Sequence, residues 1–199
     1  NTGLSNLGIY NDGTFNMNGG SIVSNGLASV GIYSETGNTD TNLKGGSIRA
    51  ENGGIGLYAG NGSVMNLHEG LNLSSGNKGL LFYNYDNSTV SGKYDLTGTV
   101  GASVENGGSA FYVKEGTSIT DYLNNSFTGS GKLELTMDSG SKLYILEGTG
   151  TTLSLSSLDG MVNPGSSLTS NVIISSASAS DYIPLSMNKG ALILDRNVN

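Results

Sequence analysis

Apolar residues along this chain alternate with polar ones in short runs: Val30 and Ile32, Ile55 and Leu57, Phe15 and Met17, Met65 and Leu67. A period of two belongs to half-buried strands, whose successive side chains face opposite ways. Residues 1–115 carry no helical stripe. Between the runs sit Asn25-Gly26, Asn52-Gly53, Gly76-Asn77 and Asn106-Gly107, pairs that tolerate the positive φ of tight turns. The pattern predicts turn, strand, turn, strand.

The same side chains also return at a fixed interval. Gly8-Ile9-Tyr10, Gly31-Ile32-Tyr33, Gly56-Leu57-Tyr58, Leu81-Phe82-Tyr83 and Ala110-Phe111-Tyr112 place tyrosines 23, 25, 25 and 29 residues apart. In phase with them run Gly19-Gly20-Ser21-Ile22, Gly45-Gly46-Ser47-Ile48 and Gly98-Thr99-Val100, with Glu69-Gly70-Leu71 as a degenerate copy. Ordinary hairpins do not repeat side chains at ~25 residues, an interval typical of solenoids. One coil cannot bury its inward Ile, Leu, Met and Val. Coils stacked ~4.8 Å apart pair each strand with the one below and close a continuous apolar interior. The expected fold is therefore all-β, a single parallel β-solenoid with coils of about 25 residues, about eight in all.

Residues 116–199 keep the strand chemistry but lose the register. Leu133, Leu135 and Met137 alternate, as do Leu143 and Ile145, Leu153 and Leu155, and Ala191 and Ile193. Asp121-Tyr122-Leu123-Asn124-Asn125 and Asn163-Pro164-Gly165 are expected as loops or short helical excursions. No linker or charge block divides the chain, so 1–199 reads as one solenoid, regular over 1–115 and less regular over 116–199.

Composition sharpens the functional reading. Gly (32), Ser (29), Asn (23) and Thr (16) fill half of the 199 positions, unlike an ordinary enzyme domain, yet only 13% of residues are charged and 36% are hydrophobic, which favours a folded chain over a disordered tail. The absence of Cys removes disulfides and thiolate chemistry. A net charge of −7 with only nine basic residues disfavours nucleic acid and anionic membrane surfaces. No apolar run approaches the ~18 residues of a membrane span, and no initiator Met or signal-like leader opens the chain. The reading is a non-embedded piece of something longer, and a monomer, with a homotrimeric tailspike-like fibre as a further option.

Solenoids can carry polysaccharide lyases and glycosidases, which need converging acids, with a base where a proton is abstracted. Here Asp12, Glu35 and Asp86 supply one turn carboxylate per coil, with Asn61 in the coil of Tyr58, and Arg49 and Arg196 lie far apart. His68 follows the inward candidate Leu67, should face outward, and has no Cys or second His for a metal. Gly53-Gly54-Ile55-Gly56-Leu57-Tyr58 opens like a calcium-binding nonapeptide but places Tyr58 where the ligating Asp belongs. No enzyme, metal or cofactor is expected.

What remains is a tyrosine ladder. If Ile9, Ile32, Leu57, Phe82 and Phe111 point inward, alternation sends Tyr10, Tyr33, Tyr58, Tyr83 and Tyr112 to one outer wall, each beside a Gly, Ala or Leu81 two residues earlier, with Tyr85 and Tyr94 widening the patch. Such stacking stabilises a sheet, and rings with polar tips also anchor recognition surfaces. Both readings stand at this point.

The segments from Gly8 to Ile22 and from Gly129 to Leu135 resemble the passenger domains of bacterial type V autotransporters, particularly the large fusobacterial outer-membrane adhesins. The likeness spans nearly the whole chain. It implies a right-handed β-helix, export through the periplasm, display at the cell surface by a C-terminal outer-membrane β-barrel, and attachment to host cells or other bacteria through a surface glycan or protein receptor. These residues show neither the signal peptide nor the barrel of that pattern, as expected of a segment excised from a longer passenger protein, and offer no catalytic motif to carry over. The resulting expectation is a non-enzymatic adhesin segment that spaces or presents a binding face; the alternatives are a polysaccharide-active enzyme and a stalk without a ligand.

Overall fold

The computed structural model describes residues 6–85, 91–114, 117, 119–138, 141–146, 152–154, 171–176, 186–187 and 191–193. Its strands in chain order are β1 (Asn6–Asn11), β2 (Thr14–Asn25), β3 (Ser29–Thr36), β4 (Asp40–Glu51), β5 (Ile55–Asn61), β6 (Val64–His68), β7 (Leu71–Ser75), β8 (Leu80–Asn84), β9 (Lys93–Thr97), β10 (Thr99–Val104) and β11 (Ser109–Val113). After the helix α1 (Ile119–Ser126) come β12 (Phe127–Gly129), β13 (Lys132–Met137), β14 (Lys142–Leu146), β15 (Thr152–Ser154), β16 (Val172–Ser176), β17 (Ser186–Met187) and β18 (Ala191–Ile193). Asn163-Pro164-Gly165, Leu155, Asp86 and Arg196 lie outside the described residues.

These strands form a parallel β-solenoid with about four regular turns, each of about 26 residues. Each regular coil has three limbs. The first limbs, β1, β3, β5, β8, β11, β14 and β17, make one seven-stranded sheet. The second and third limbs share a nine-stranded sheet that bends at a corner: Asp40–Leu43 of β4 pair with β6, while Gly46–Ala50 pair with β7. Glycines make that corner. Gly20, Gly46, Gly70 and Gly98, from the second sequence signature, all have positive φ. At Gly46, with φ of 98°, an added Cβ would also lie 2.6 Å from the Gly20 carbonyl oxygen, so both conformation and space select glycine.

The later returns lengthen, which is why eight equal coils do not form. Ser109 pairs with Lys142 and Leu133 with Val172, well beyond one regular period. Part of the extra chain in the coil of β11 is α1, whose Ile119, Tyr122 and Leu123 are buried. That i, i+3, i+4 spacing gives a short helix one apolar face, and Tyr122 anchors it by donating to Asn84 Oδ1 at 2.7 Å.

Inside, Ile32, Leu57, Phe82 and Phe111 of the first limb meet Leu43, Met65, Leu67 and Leu96 of the second and Ile48, Leu73 and Leu135 of the third. The core changes character along the axis. Aliphatic early coils give way to a cluster in which the Phe82 and Phe127 rings lie with centroids 5.0 to 5.7 Å from Tyr94, from Phe111 and from each other. Edge-to-face and offset contacts at such distances contribute about 0.5–1.5 kcal/mol per pair beyond burial.

Polar ladders run outside. Asn66 donates to Asn42 at 2.9 Å and Asn42 to Asn16 at 3.2 Å along the second limb. At the turn before the first limb, Asn52 donates to Asn25 at 2.7 Å and Asn77 donates to Asn52. Asn52 and Asn77 both adopt positive φ, a conformation that asparagine tolerates better than most residues.

Candidate functional site

The parallel register stacks Tyr10 on Tyr33, Tyr33 on Tyr58 and Tyr58 on Tyr83. Ring centroids are 5.7, 4.7 and 4.6 Å apart, and Tyr83 to Tyr112 is 5.0 Å. Successive rings are tilted or edge-on, as their quadrupoles prefer. Tyr10 is exposed and the other four are half-buried. Register places Ile145 opposite Tyr112 in the next coil, so the run of phenols ends there.

Strict alternation does not hold along this wall. Ile32, Leu57, Phe82 and Phe111 do point inward, fully buried, but Leu81 and Ala110 are fully buried too and belong to the core instead of flanking the tyrosines outside. Ser109 lies opposite Leu80 and Phe111 opposite Phe82, so Ala110 comes level with Leu81. In the early coils only glycine fits: a Cβ on Gly31 would lie 2.6 Å from the carbonyl oxygen of Gly56.

The two ends of the ladder differ in charge. Tyr10 donates its hydroxyl hydrogen to Glu35, and that hydrogen bond, more than any other influence, pushes its pKa up to about 12. Burial, then the Glu35 charge, raises Tyr33. Tyr58 is pushed up to about 12, first by burial and then by Tyr83, Tyr33 and Tyr85. These phenols stay neutral well above physiological pH. Toward the other end, the Lys114 ammonium stands 5.6 Å from the centroid of the half-buried Tyr85 ring, within cation–π range. The wall thus offers neutral rings and hydroxyls between a carboxylate and an ammonium. Sequence reasoning missed Lys114, because nothing in the repeat marks it.

Tyr94 does not widen the patch. It is fully buried, and its hydroxyl donates to the backbone oxygens of Leu57 at 3.1 Å and Tyr83 at 2.9 Å. Loss of water drives its pKa well above the ordinary value. Its β9 position pairs with Met65 in the register, an inward site, whereas Tyr83 and Tyr85 lie on the first limb or just after it.

The other polar candidates do not converge. Asp12 is exposed and His68 half-buried. Arg49 is engaged by Glu51 and Glu105. Among the described residues no group of three or more His, Cys, Asp or Glu could hold a metal ion, and no helix is long and apolar enough to cross a membrane, which says nothing of a β-barrel.

No family model, curated protein or solved structure matches the chain.

Proposed function

We propose that this chain is a non-enzymatic segment of a surface-displayed β-helical passenger, which spaces or presents a face that binds host cells or other bacteria. The observation that carries this reading is the unbroken column Tyr10, Tyr33, Tyr58, Tyr83 and Tyr112, with Tyr85 beside it. Its rings present apolar faces and hydroxyl tips along one wall of a rigid solenoid. Tyrosines give large contact area at low conformational cost and are enriched where proteins recognise partners. A solenoid displays such a column at a regular spacing over its length. The resemblance to autotransporter passengers supports cell-surface display anchored in the outer membrane.

The test is binding of the purified chain to host and bacterial cells and to arrayed surface glycans and receptor proteins. It is compared with a variant carrying Tyr33→Ser, Tyr58→Ser and Tyr83→Ser, with the far-ultraviolet dichroism of both recorded. Binding that disappears from a folded variant supports the ladder as a recognition face. Equal binding by both removes it. A well-folded chain that binds nothing leaves these rings as sheet stabilisers in a stalk.

A further inference from the structure

The outer face of the third limb carries a second, unrelated surface. Parallel register stacks Ser47, Asn72, Gly101 and Glu134 in one column, and Arg49, Ser74, Ser103 and Thr136 in the next. Gly101 interrupts the first column. Asn72 and Glu134 stand on the coils to either side of it, and a Cβ built on Gly101 would meet nothing within 4 Å. The result is a groove of about 410 Å³, within the ~300–1,000 Å³ of small-molecule sites. Glu105 forms one wall. It is held there by Arg49, which also donates to Ser74 at 3.3 Å.

We propose that this groove binds a short saccharide, neutral or amino-bearing, at a site separate from the tyrosine ladder and independent of whether the ladder binds. Its polar side chains are hydroxyls, one amide and two carboxylates, a set that can donate to and accept from the vicinal hydroxyls of a sugar. An extended peptide finds no purchase by strand addition, because β7, β10 and β13 are each paired on both sides and leave no free backbone edge. A protein partner would want an aromatic or aliphatic anchor pocket, whereas the two apolar residues of the lining, Leu73 and Ala102, are buried in the core and the rest are polar or Gly101.

Charge narrows the class further. Among the described residues Arg49 is the cation in these two columns, and its guanidinium already engages Glu51 and Glu105. Glu134 is exposed with no ion pair among them, and Lys132, two residues before it on the same face, lies outside the groove lining. A uronic or sialic carboxylate would meet like charge there. An amino group would meet an acceptor.

The experiment is saccharide-array binding of the 199-residue chain across neutral, amino and acidic glycans, with a peptide array in parallel. The variants are Gly101→Phe, Gly101→Asn and Glu134→Gln, and the triple tyrosine variant. Phenylalanine at position 101 grows into open space, so the fold should persist while the groove fills; asparagine serves if the larger ring disturbs the sheet. Expected are retention of neutral or amino saccharides, a loss of at least about tenfold in affinity in either Gly101 variant, and a loss in Glu134→Gln larger for amino than for neutral sugars. The triple tyrosine variant should keep this binding. Retention of acidic glycans alone, capture of peptides instead of saccharides, equal binding by the folded Gly101 variants, or no saccharide binding at all would overturn the proposal.

Discussion

The guanidinium of Arg49 grips the carboxylate of Glu105 through two parallel hydrogen bonds, Nη1 to Oε1 at 2.7 Å and Nη2 to Oε2 at 2.6 Å, with the coil of Ser74 lying between theirs. Its Nε also donates to Glu51 on its own coil. One side chain therefore ties three successive coils on the outer face. Planar two-point pairing fixes the Glu105 carboxylate in orientation as well as in place, and it holds the Glu105 carboxyl below its ordinary range.

Glu105→Gln should lower stability at neutral pH by about 0.5–1 kcal/mol, a modest figure because both partners are partly exposed. A carboxyl whose pKa is depressed on folding contributes stability above its unfolded value of 4.5, and loses it as pH falls through the folded value. The difference in urea midpoint between wild type and variant should accordingly shrink toward zero in acid. A gap that stays constant from neutral pH into strong acid would count against the pair.

Asn52→Asp keeps a residue that tolerates positive φ and an acceptor for the Asn77 amide, but removes the amide donor to Asn25 and turns a carboxylate toward the Asn25 side-chain oxygen. The expected loss is about 0.5–1.5 kcal/mol, the net worth of a hydrogen bond. Thermal unfolding of the variant at neutral pH reads it directly. An unchanged midpoint would mean that the asparagine stack is geometry without energy.

Phe82→Ala removes the ring that touches Tyr94, Phe111 and Phe127 together. A loss of about 3–5 kcal/mol is expected. Because coils are stabilised mainly through their neighbours, hydrogen exchange should quicken most in β5, β8 and β11. Uniform acceleration along the chain would argue against this local coupling.

Tyr58 supplies an alkaline signature. Its folded pKa of about 12 lies above the ordinary value of 10, so its contribution to stability is complete below pH 10 and is lost as pH rises through about 12. Tyr58→Phe should weaken the decline in stability across that window. A decline of equal size in the variant would assign it to other groups.

Two glycines should respond oppositely to alanine. Gly46→Ala forces a side chain into positive φ and against Gly20, at a cost of about 1–3 kcal/mol. Gly101→Ala meets open space and should be neutral or slightly stabilising, because alanine orders a strand at lower entropic cost. Denaturation midpoints of the pair decide it, and similar losses at both sites would contradict the open groove.

Much of this architecture is written in the chain. Identical residues recurring at one interval must stack if the coils are to share a core, so the tyrosine column and the inward Ile32, Leu57, Phe82 and Phe111 follow from the repeat alone. Repetition carries no information about residues that fall outside it. Tyr94 reads like another surface tyrosine, and only the placement of β9 next to β6 puts it opposite Met65, inside. Leu81 and Ala110 read as outward by alternation, yet the folded chain buries both completely in the core. The three-limbed coil, the reach of Arg49 across Ser74 and the groove at Gly101 depend on which residues of unequal coils come level. That register is set by the lengths of turns and by how side chains fill a shared interior, which are properties of the stacked chain and not of any one coil.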